Sequence, residues 1–498
     1  MLEYLKEEAN FTRTENGAAA YLSTGSDCLD FFATAGALRR ESASEIVSRF
    51  LRAFTEDPNA AMKLLFYTRD VRGGLGERRV FRVILRWLAA TAPGSVKKNL
   101  ERVAEYGRWD DLLALLGTPC EKETLALLKA QFCKDMAANA EGGEISLLAK
   151  WLPSVNASNA ETVKRGKRIA RAFGMTDESY RKALVSLRAR IRILENNLRQ
   201  KNYSFDYEKQ PSRAMFKYRK AFCRNDGERY RLFLEKVASG EARLHADHVM
   251  PYELVEPYLN WSNWRGEYHS FLRHLSGSEA ASLNATWAAM PDFGGNENAL
   301  AVVDTSGSMY EEYLKPLPAA VALSLGLYFA ERNTGAFHNH FIEFSARPQL
   351  IELKGETFVD RLRYAASFCE VANTNLEAVF DLILNAAVKN KVPAEELPEK
   401  LYIISDMEFD CCVRNADQTI FRNAAERYAE HGYRLPDVIF WNVASRNRQH
   451  PVTMNEQGVA LISGVTPRLF QMAAGQTVSP MRMMLDVLES DRYAAIVA

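Results

Sequence analysis

The segment Ala299–Met309, ALAVVDTSGSM, constrains the fold more than any other stretch of this chain. Its apolar residues predict a buried strand that ends at Asp304, and the small polar residues after it predict a loop. Asp304, Ser306 and Ser308 alternate along that loop, so a carboxylate and two hydroxyl oxygens can converge on a small cation that prefers oxygen ligands. Asp and Ser also cap helices in ordinary turns, and the pattern alone leaves that alternative open.

Polar residues at two later points of the chain strengthen the metal interpretation. Thr374 lies in a loop before a helical pattern, and Asp406 ends the apolar strand pattern LYIISD. Three such loops can meet at the carboxyl edge of one parallel sheet, where open α/β sheets bind their ligands. Glu408 and Asp410 follow in the same loop; we expect them to be solvated, with a second cation as the alternative. Mg²⁺, Mn²⁺ and Ca²⁺ all accept such an oxygen set.

With these motifs, the C-terminal part of the chain resembles the von Willebrand factor A domain and its metal-ion-dependent adhesion site. The resemblance implies that Asp304, Ser306, Ser308, Thr374 and Asp406 are the five positions of a site for Mg²⁺, Mn²⁺ or Ca²⁺. It also implies a protein partner that offers a carboxylate to the metal. The alternation of strand and helix patterns independently predicts a doubly wound α/β fold of the Rossmann-like kind.

The first half of the chain carries a different pattern. From about Ser23 onward it shows successive short amphipathic helices bounded by Gly, Pro, Asp or Asn, with almost no strand signal. Paired helices of this length predict an all-α HEAT-like repeat, in which neighbours bury one another's apolar faces. We therefore predict two domains, a helical repeat over residues 1–295 and an α/β domain over residues 296–498, because 498 residues exceed one hydrophobic core.

The net charge of zero conceals an uneven distribution. Residues 151–250 hold 22 Lys and Arg against 11 Asp and Glu. A clustered basic region in a neutral chain is the electrostatic footprint of a nucleic-acid-binding protein. Charged runs also occur simply as solvated helix faces, so charge alone leaves both interpretations open.

A glycine-rich break inside residues 67–87 is the first candidate RNA contact. Several arginines surround the break, and exposed amides at a helix N-terminus joined by guanidinium groups suit a phosphate. A helix–helix corner in which Arg69 and Arg78 pair with Asp70 and Glu77 explains the same pattern. The segment is not a Walker loop, because no Lys-Ser/Thr follows at the required spacing.

The second candidate RNA contact is the basic region after residue 155, where cations alternate with aromatic rings on which bases can stack. Phe216 and Phe222 fit better as core residues, and most cations are expected at the surface. The candidate RNA-binding residues of both regions are Arg69, Arg72, Arg78, Arg79, Lys164, Arg165, Lys167, Arg168, Arg213, Lys217, Arg219 and Lys220.

Several segments of the first half resemble an uncharacterised family similar to the TROVE module of the Ro autoantigen. They include TGSDCLDFFATAGALR, FYTRDVRGGLGERRVFR, VAEYGRWDDLLAL and HVMPYEL. The resemblance implies a ring of HEAT-like helices closed by an A domain, and binding of misfolded and small noncoding RNAs. Architecture matches more than motif, so individual RNA-contact residues are not carried over, and the helical pattern alone leaves a closed ring and an open arc as alternatives.

No signal peptide or membrane-spanning run is visible, and the seven scattered cysteines predict reduced, buried thiols in a cytoplasmic protein without a membrane partner. No general base with a triad-like companion is present, so we expect a non-enzyme. The preferred function is an RNA-binding scaffold for small noncoding or structured RNA. A metal-dependent protein–protein adaptor without RNA is the alternative, and metal-dependent phosphoryl transfer is a third.

Overall fold

The computed structural model describes residues 1–191, 193–264, 267–311, 313–344, 347–369, 371–411, 418–474 and 478–498. Arg192 of the basic region and Cys412, one of the seven cysteines, lie outside the described residues. No helix in these ranges is long and apolar enough to cross a membrane.

Helices dominate the described chain, with strands concentrated after residue 298. The helices are α1 (Leu2–Asn10), α2 (Asp27–Thr34), α3 (Ala43–Glu56), α4 (Pro58–Arg69), α5 (Arg78–Thr91), α6 (Pro93–Lys98), α7 (Val103–Tyr106), α8 (Glu121–Ala140), α9 (Leu148–Trp151), α10 (Ala160–Phe173), α11 (Asp177–Ile191), α12 (Leu194–Arg199), α13 (Ser212–Asn225), α14 (Gly227–Ala238), α15 (Pro251–Val255), α16 (Gly277–Ala288), α17 (Pro318–Arg332), α18 (Phe358–Ala366), α19 (Leu376–Asn390), α20 (Ile420–Glu430), α21 (Arg468–Ala473) and α22 (Pro480–Glu489). The strands are β1 (Phe11–Arg13), β2 (Ala19–Tyr21), β3 (Leu259–Trp264), β4 (Glu267–Leu272), β5 (Ala299–Asp304), β6 (His340–Phe344), β7 (Gln349–Glu352), β8 (Lys400–Ser405), β9 (Asp437–Asn442) and β10 (Val459–Ser463).

Contacts divide the chain into two compact units. The first unit contains residues 1–61 and 211–490, and the second contains residues 62–210 and 491–498. Each unit contains residues from both sides of residue 295, the predicted domain boundary. The division into domains at residue 295 stays a prediction. The first residues of the chain therefore pack with the α/β region, although their sequence pattern is helical.

The first unit is built on a mixed sheet. Its described strands lie in the order β10-β9-β8-β5-β6-β7, parallel throughout except for the antiparallel pair β6–β7. Every residue of β5 and β8 is buried, as expected for central strands covered on both faces. Helices α19 and α20 share one apolar core with Val302 and Ile403, while α17 packs against β5 beside Val303. The predicted α/β region with a largely parallel sheet is confirmed.

The N-terminal segment is part of this unit. β1 and β2 form an antiparallel hairpin, and Ala18 and Ala33 belong to the same apolar core as Val302. Tyr21 and His450 exchange backbone hydrogen bonds of 2.9 and 2.7 Å. The prediction that residues 1–295 are all-α is thus wrong in two places, at this hairpin and at the β3–β4 hairpin, because short strands of three to six residues give little periodic signal.

The described residues of the second unit form helices and loops, without strands. α8 packs with α9, α10 and α11, and the rings of Phe132, Phe173 and Tyr180 form its aromatic centre. The helical prediction is confirmed for this part of the chain.

A buried ion pair anchors the glycine-rich break that follows α4. Arg69 is 2% exposed, and its Nε and Nη2 each lie 2.8 Å from Asp111 Oδ2. Asp111 also accepts hydrogen bonds from Arg82 Nε and from the Arg108 amide. Arg69 therefore pairs with Asp111, 42 residues away, and not with the neighbouring Asp70, its partner in the alternative of a helix–helix corner.

The cysteines only partly match their predicted burial. All described cysteines are free; Cys28, Cys120 and Cys369 are buried, whereas Cys133 and Cys411 are exposed. Burial of every thiol was therefore a wrong prediction. Neighbouring apolar residues do not reveal which face of a segment a cysteine occupies.

We expect Asp111→Ala to destabilise the second unit by about 3–5 kcal/mol, because removing one partner leaves the buried Arg69 charge uncompensated. Urea denaturation followed by circular dichroism measures this change. The exposed carboxylate of Glu101 offers a control, since Glu101→Ala should change stability by less than about 0.5 kcal/mol. Equal effects of the two substitutions would contradict a structural role for the Arg69–Asp111 pair.

We expect Gly326→Ala in α17 to destabilise the first unit by about 1–3 kcal/mol. An added Cβ would overlap Cγ2 of Val303 on β5, and this overpacking outweighs the gain in helix propensity. The matched control is Gly277→Ala at the start of α16, where a Cβ meets nothing within 4 Å. Urea melts of both variants test the packing of α17 on the sheet, and an unchanged Gly326→Ala melt would argue against it.

Candidate functional site

The candidate site lies where β5 and β8 end. The two strands are parallel, with Val303 opposite Ile404, so Asp304 lies beside Ser405 and Asp406 follows directly. The Ser405 hydroxyl donates to Asp304 Oδ2, and the Ser306 amide donates to Asp304 Oδ1 at 2.8 Å. Strand pairing thus brings together two carboxylates that are 102 positions apart in the sequence.

Backbone hydrogen bonds join the three loops that were predicted to converge. Gly307 N donates to the Ala372 carbonyl at 2.9 Å, and Asp410 N donates to the Thr374 carbonyl at 3.0 Å. The hydroxyl oxygens of Ser306 and Ser308 are 3.2 Å apart. The structure therefore gathers the five predicted metal-site residues at one edge of the sheet.

Burial controls the electrostatics of the two carboxylates. Asp304 and Asp406 are both buried, and burial raises the pKa of each above the usual range. The neighbouring charge of Asp304 raises the pKa of Asp406 further, while the Arg446 guanidinium lowers it. Two carboxylates this close are unfavourable as a pair of anions unless a positive charge joins them.

The donor set fits a hard divalent cation. Asp406 Oδ2 is buried and accepts no hydrogen bond, and the hydroxyls of Ser306, Ser308 and Thr374 complete an all-oxygen group. Within the described ranges no cluster of three His, Cys, Asp or Glu side chains is arranged for a metal. A cation here would accordingly depend on two carboxylates supplemented by hydroxyls. Gly307 is exposed and Ser308 is half-buried, so these two residues form the solvent side of the site.

A turn near the N-terminus borders the site, which the sequence did not predict. Asn16 Nδ2 donates to the Glu408 carbonyl at 2.7 Å and approaches Thr374 Oγ1 at 3.5 Å. The Glu15 amide donates to Glu408 Oε2 at 2.9 Å, and Thr14 Oγ1 donates to the Phe409 carbonyl at 2.6 Å. No local pattern around residue 15 signals this contact, because the partners lie more than 350 residues away.

Glu408 is not solvated; its carboxylate accepts hydrogen bonds from the N-terminal turn and from the loop after β9. It is buried, and its Oε1 accepts hydrogen bonds from Asn447 at 2.8 Å and Gln449 at 2.7 Å. The expectation of a solvated Glu408 was therefore wrong, because the loop after β9 covers it. That loop also contributes Arg446, whose Nη2 lies 3.3 Å from Asp406 Oδ2.

The candidate RNA residues of the second unit fall into two classes. Arg69 is buried against Asp111, which removes it from the RNA-contact set, because an enclosed guanidinium cannot reach a phosphate. Lys167 is half-buried and lies 3.4 Å from Asp177. The remaining candidates there are exposed; they are Arg72, Arg78, Arg79, Lys164, Arg165 and Arg168.

The candidates of the first unit differ in the same way. Arg219 is buried, stacks on Phe216 at 4.0 Å and donates to the Phe216 carbonyl, so it too leaves the RNA-contact set. Phe222 is buried, as expected of a core residue. The other candidates are exposed, with Arg213 paired to Glu253 and Lys220 to Glu279; they are Arg213, Lys217 and Lys220.

Helices α10 and α11 carry many exposed cations. Residues 160–191 contain nine Lys and Arg against three Asp and Glu. Ile169 and Phe173 face the core, which leaves most of the cations of α10 exposed. The exposed cations, which we call the α10–α11 basic surface, are Lys164, Arg165, Arg168, Arg171, Arg181, Lys182 and Arg190.

Sequence and structure comparisons place the chain among known proteins. The family model described as Domain of unknown function (DUF7788) matches residues 298–484, and that described as Domain of unknown function (DUF2828) matches residues 14–140 and 159–292. The uncharacterized protein L728 of Acanthamoeba polyphaga mimivirus is 30% identical over 97% of this chain and 88% of its own length. A crystal structure of the Deinococcus radiodurans Ro (RSR) protein aligns with a TM-score of 0.42 and 15% identity, over 94% of this chain and 99% of that chain. The chain belongs to the family of proteins that carry the Domain of unknown function (DUF2828).

Proposed function

We propose that this protein is an RNA-binding scaffold that holds small noncoding or structured RNA on the α10–α11 basic surface. The observation that carries the proposal is the excess of exposed cations on two adjacent helices of a chain whose net charge is zero. A HEAT-like ring and a von Willebrand factor A identity for the α/β region, which the sequence resemblance implies, belong to this proposal. The role is binding, not catalysis.

Phosphate attraction explains why these helices suit RNA. Neutralising phosphates releases condensed counterions, so a dense row of exposed cations binds a nucleic acid strongly at low salt. Arg165 and Lys182 lie near Glu161 and Glu178 on their own helices, and such exposed pairs contribute little to stability. Phosphates can therefore replace these partners at small cost.

We expect the combined variant Lys164→Gln, Arg165→Gln, Arg168→Gln and Arg171→Gln to weaken binding of a labelled hairpin RNA at least tenfold at about 50 mM salt. It should also reduce the slope of log affinity against log salt by roughly 3, since about one counterion is released per lost phosphate contact. Fluorescence anisotropy over a salt series measures both quantities. RNA that copurifies with the protein at low salt should be lost in the same variant.

The control carries the same charge change elsewhere. Its substitutions replace exposed cations of the α/β region with Gln, namely Lys354, Lys389, Lys391 and Arg434. This variant should retain the RNA affinity and salt slope of the unmodified protein. No RNA affinity at about 50 mM salt, or equal losses in the two variants, would exclude the α10–α11 basic surface as the RNA site.

A divalent cation at the candidate site is the second part of the proposal, supported by the paired buried carboxylates of Asp304 and Asp406. These two residues would hold Mg²⁺, Mn²⁺ or Ca²⁺ together with the hydroxyls of Ser306, Ser308 and Thr374. When bound, the cation offers a coordination position to a carboxylate of a protein partner. On this basis a metal-dependent adaptor without RNA is the second candidate function.

We expect millimolar Mg²⁺ or Mn²⁺ to raise the melting temperature of the first unit, because a ligand at about 100 times its Kd stabilises a protein by about 2.7 kcal/mol. Asp304→Asn should abolish the metal-induced shift, since it removes one of the two buried charges. Differential scanning calorimetry with and without EDTA measures the shift. Substitution of the exposed Glu356 by Gln should retain the shift. A shift that persists in Asp304→Asn would show that the metal binds elsewhere.

Incubation with labelled RNA separates binding from catalysis. A scaffold leaves the RNA intact in the presence of Mg²⁺, whereas phosphoryl transfer produces shortened fragments. Fragments that disappear with Asp304→Asn would replace the scaffold proposal by a metal-dependent nuclease.

A further inference from the structure

We propose that Arg446 is an internal counter-ion of the candidate metal site, and that Glu15 is the carboxylate that receives Arg446 when a divalent cation binds. This inference rests on the metal site of the proposed function. It assigns to the N-terminal turn and to the loop after β9 a role in setting the metal affinity.

One guanidinium nitrogen faces two carboxylates. Arg446 Nη2 lies 3.3 Å from Asp406 Oδ2 and 3.2 Å from Glu15 Oε2. The Asp406 side chain is fully buried, whereas that of Glu15 is 52% exposed. The guanidinium therefore bridges a buried carboxylate, which the cation needs, and an exposed one, which it does not.

The contact to Asp406 is a contact between charges and not a hydrogen bond. Asp406 Oδ2 accepts no hydrogen bond, and Arg446 Nε is buried without an acceptor. Arg446 is thus attracted to Asp406 without an aligned hydrogen bond to that oxygen, and Tyr313 and Glu15 are its other side-chain partners. A divalent cation, which prefers oxygen ligands, would bind to this same oxygen.

Glu15 is positioned to receive the guanidinium. Its amide donates to Glu408 Oε2 at 2.9 Å, and its Oε1 accepts a hydrogen bond from Asn447 Nδ2 at 2.9 Å. Asn447 also donates to Glu408, so the residue after Arg446 fixes both carboxylates. Backbone and side chain of Glu15 are therefore held beside Arg446, although this glutamate lies 431 positions earlier in the sequence.

Metal binding and the Arg446–Asp406 contact oppose one another electrostatically. An arginine keeps its charge under all ordinary conditions, so it cannot make room for a metal by losing a proton. A divalent cation on Asp406 places a second positive charge beside the guanidinium, and such repulsion is strong where water is excluded. Moving the guanidinium fully to Glu15 relieves the repulsion while Arg446 keeps a partner.

Mn²⁺ binding to the whole chain, measured by electron paramagnetic resonance, tests whether Arg446 and Glu15 set the metal affinity. Arg446→Gln should tighten Mn²⁺ binding about tenfold, because it removes the competing charge. Glu15→Gln should weaken binding by a similar factor, because Arg446 then keeps Asp406 as its remaining carboxylate. The double variant should bind like Arg446→Gln alone, since Glu15 acts only through Arg446.

Matched substitutions separate this role from a general effect of charge. Arg448→Gln removes an arginine two positions later that pairs with Glu45, and Glu8→Gln removes an exposed carboxylate of α1; both should leave the Mn²⁺ affinity unchanged. Arg446→Lys keeps the charge and should return the affinity toward that of the unmodified protein. Thermal melts without metal identify any variant that fails to fold.

The outcomes distinguish this inference from the metal site itself. If neither the unmodified protein nor Arg446→Gln binds Mn²⁺, the proposed metal site fails and the inference fails with it. If the unmodified protein binds Mn²⁺ in a manner that Asp304→Asn abolishes, but Arg446→Gln and Arg448→Gln behave alike, only the inference is overturned. Additive effects of Glu15→Gln and Arg446→Gln would also overturn it, because they would show two independent actions.

Discussion

The close approach of two buried carboxylates, Asp304 and Asp406, is the constraint around which the first unit is organised. Parallel pairing of β5 and β8 places them side by side, and burial deprives both of water. The unit compensates with hydrogen bonds from Ser405 and the Ser306 amide, and with the nearby charge of Arg446. Each of these groups reduces the cost of two adjacent negative charges, and a divalent cation would reduce it most.

The same constraint explains why the α/β region requires residues from the start of the chain. The turn at Thr14–Gly17 is bonded to Glu408, Phe409 and Asp410, directly after the second carboxylate. Glu408, Asn447 and Gln449 then link this turn to the loop after β9. Residues 296–498 alone would lack one side of the site, and α2 would no longer cover β10.

In the second unit, some charged side chains form buried ion pairs and others lie at the surface. Arg69 and Asp111 are buried and connect the glycine-rich break to the following helices, so their charges pair with each other inside the unit. Most cations of α10 and α11 are exposed; Arg165 and Lys182 have exposed partners one turn away, whereas Arg168 pairs with Glu121 of α8. The density of arginine in the sequence does not separate these roles, since a buried ion pair and a phosphate contact use the same side chain.

Sequence alone determined the α/β region, the helical region and the five oxygen-bearing residues, four of them at the ends of β5 and β8 and the fifth, Thr374, in the loop before α19. These follow from local rules: buried strands require continuous apolar runs, and parallel strands end at one edge of their sheet. Tertiary structure decided which charges are available. It buried Arg69 and Arg219, and it brought Glu15, Asn16 and Arg446 to the site from opposite ends of the chain. Local periodicity carries no information about such pairings, because contacts between residues hundreds of positions apart depend on how completed elements pack.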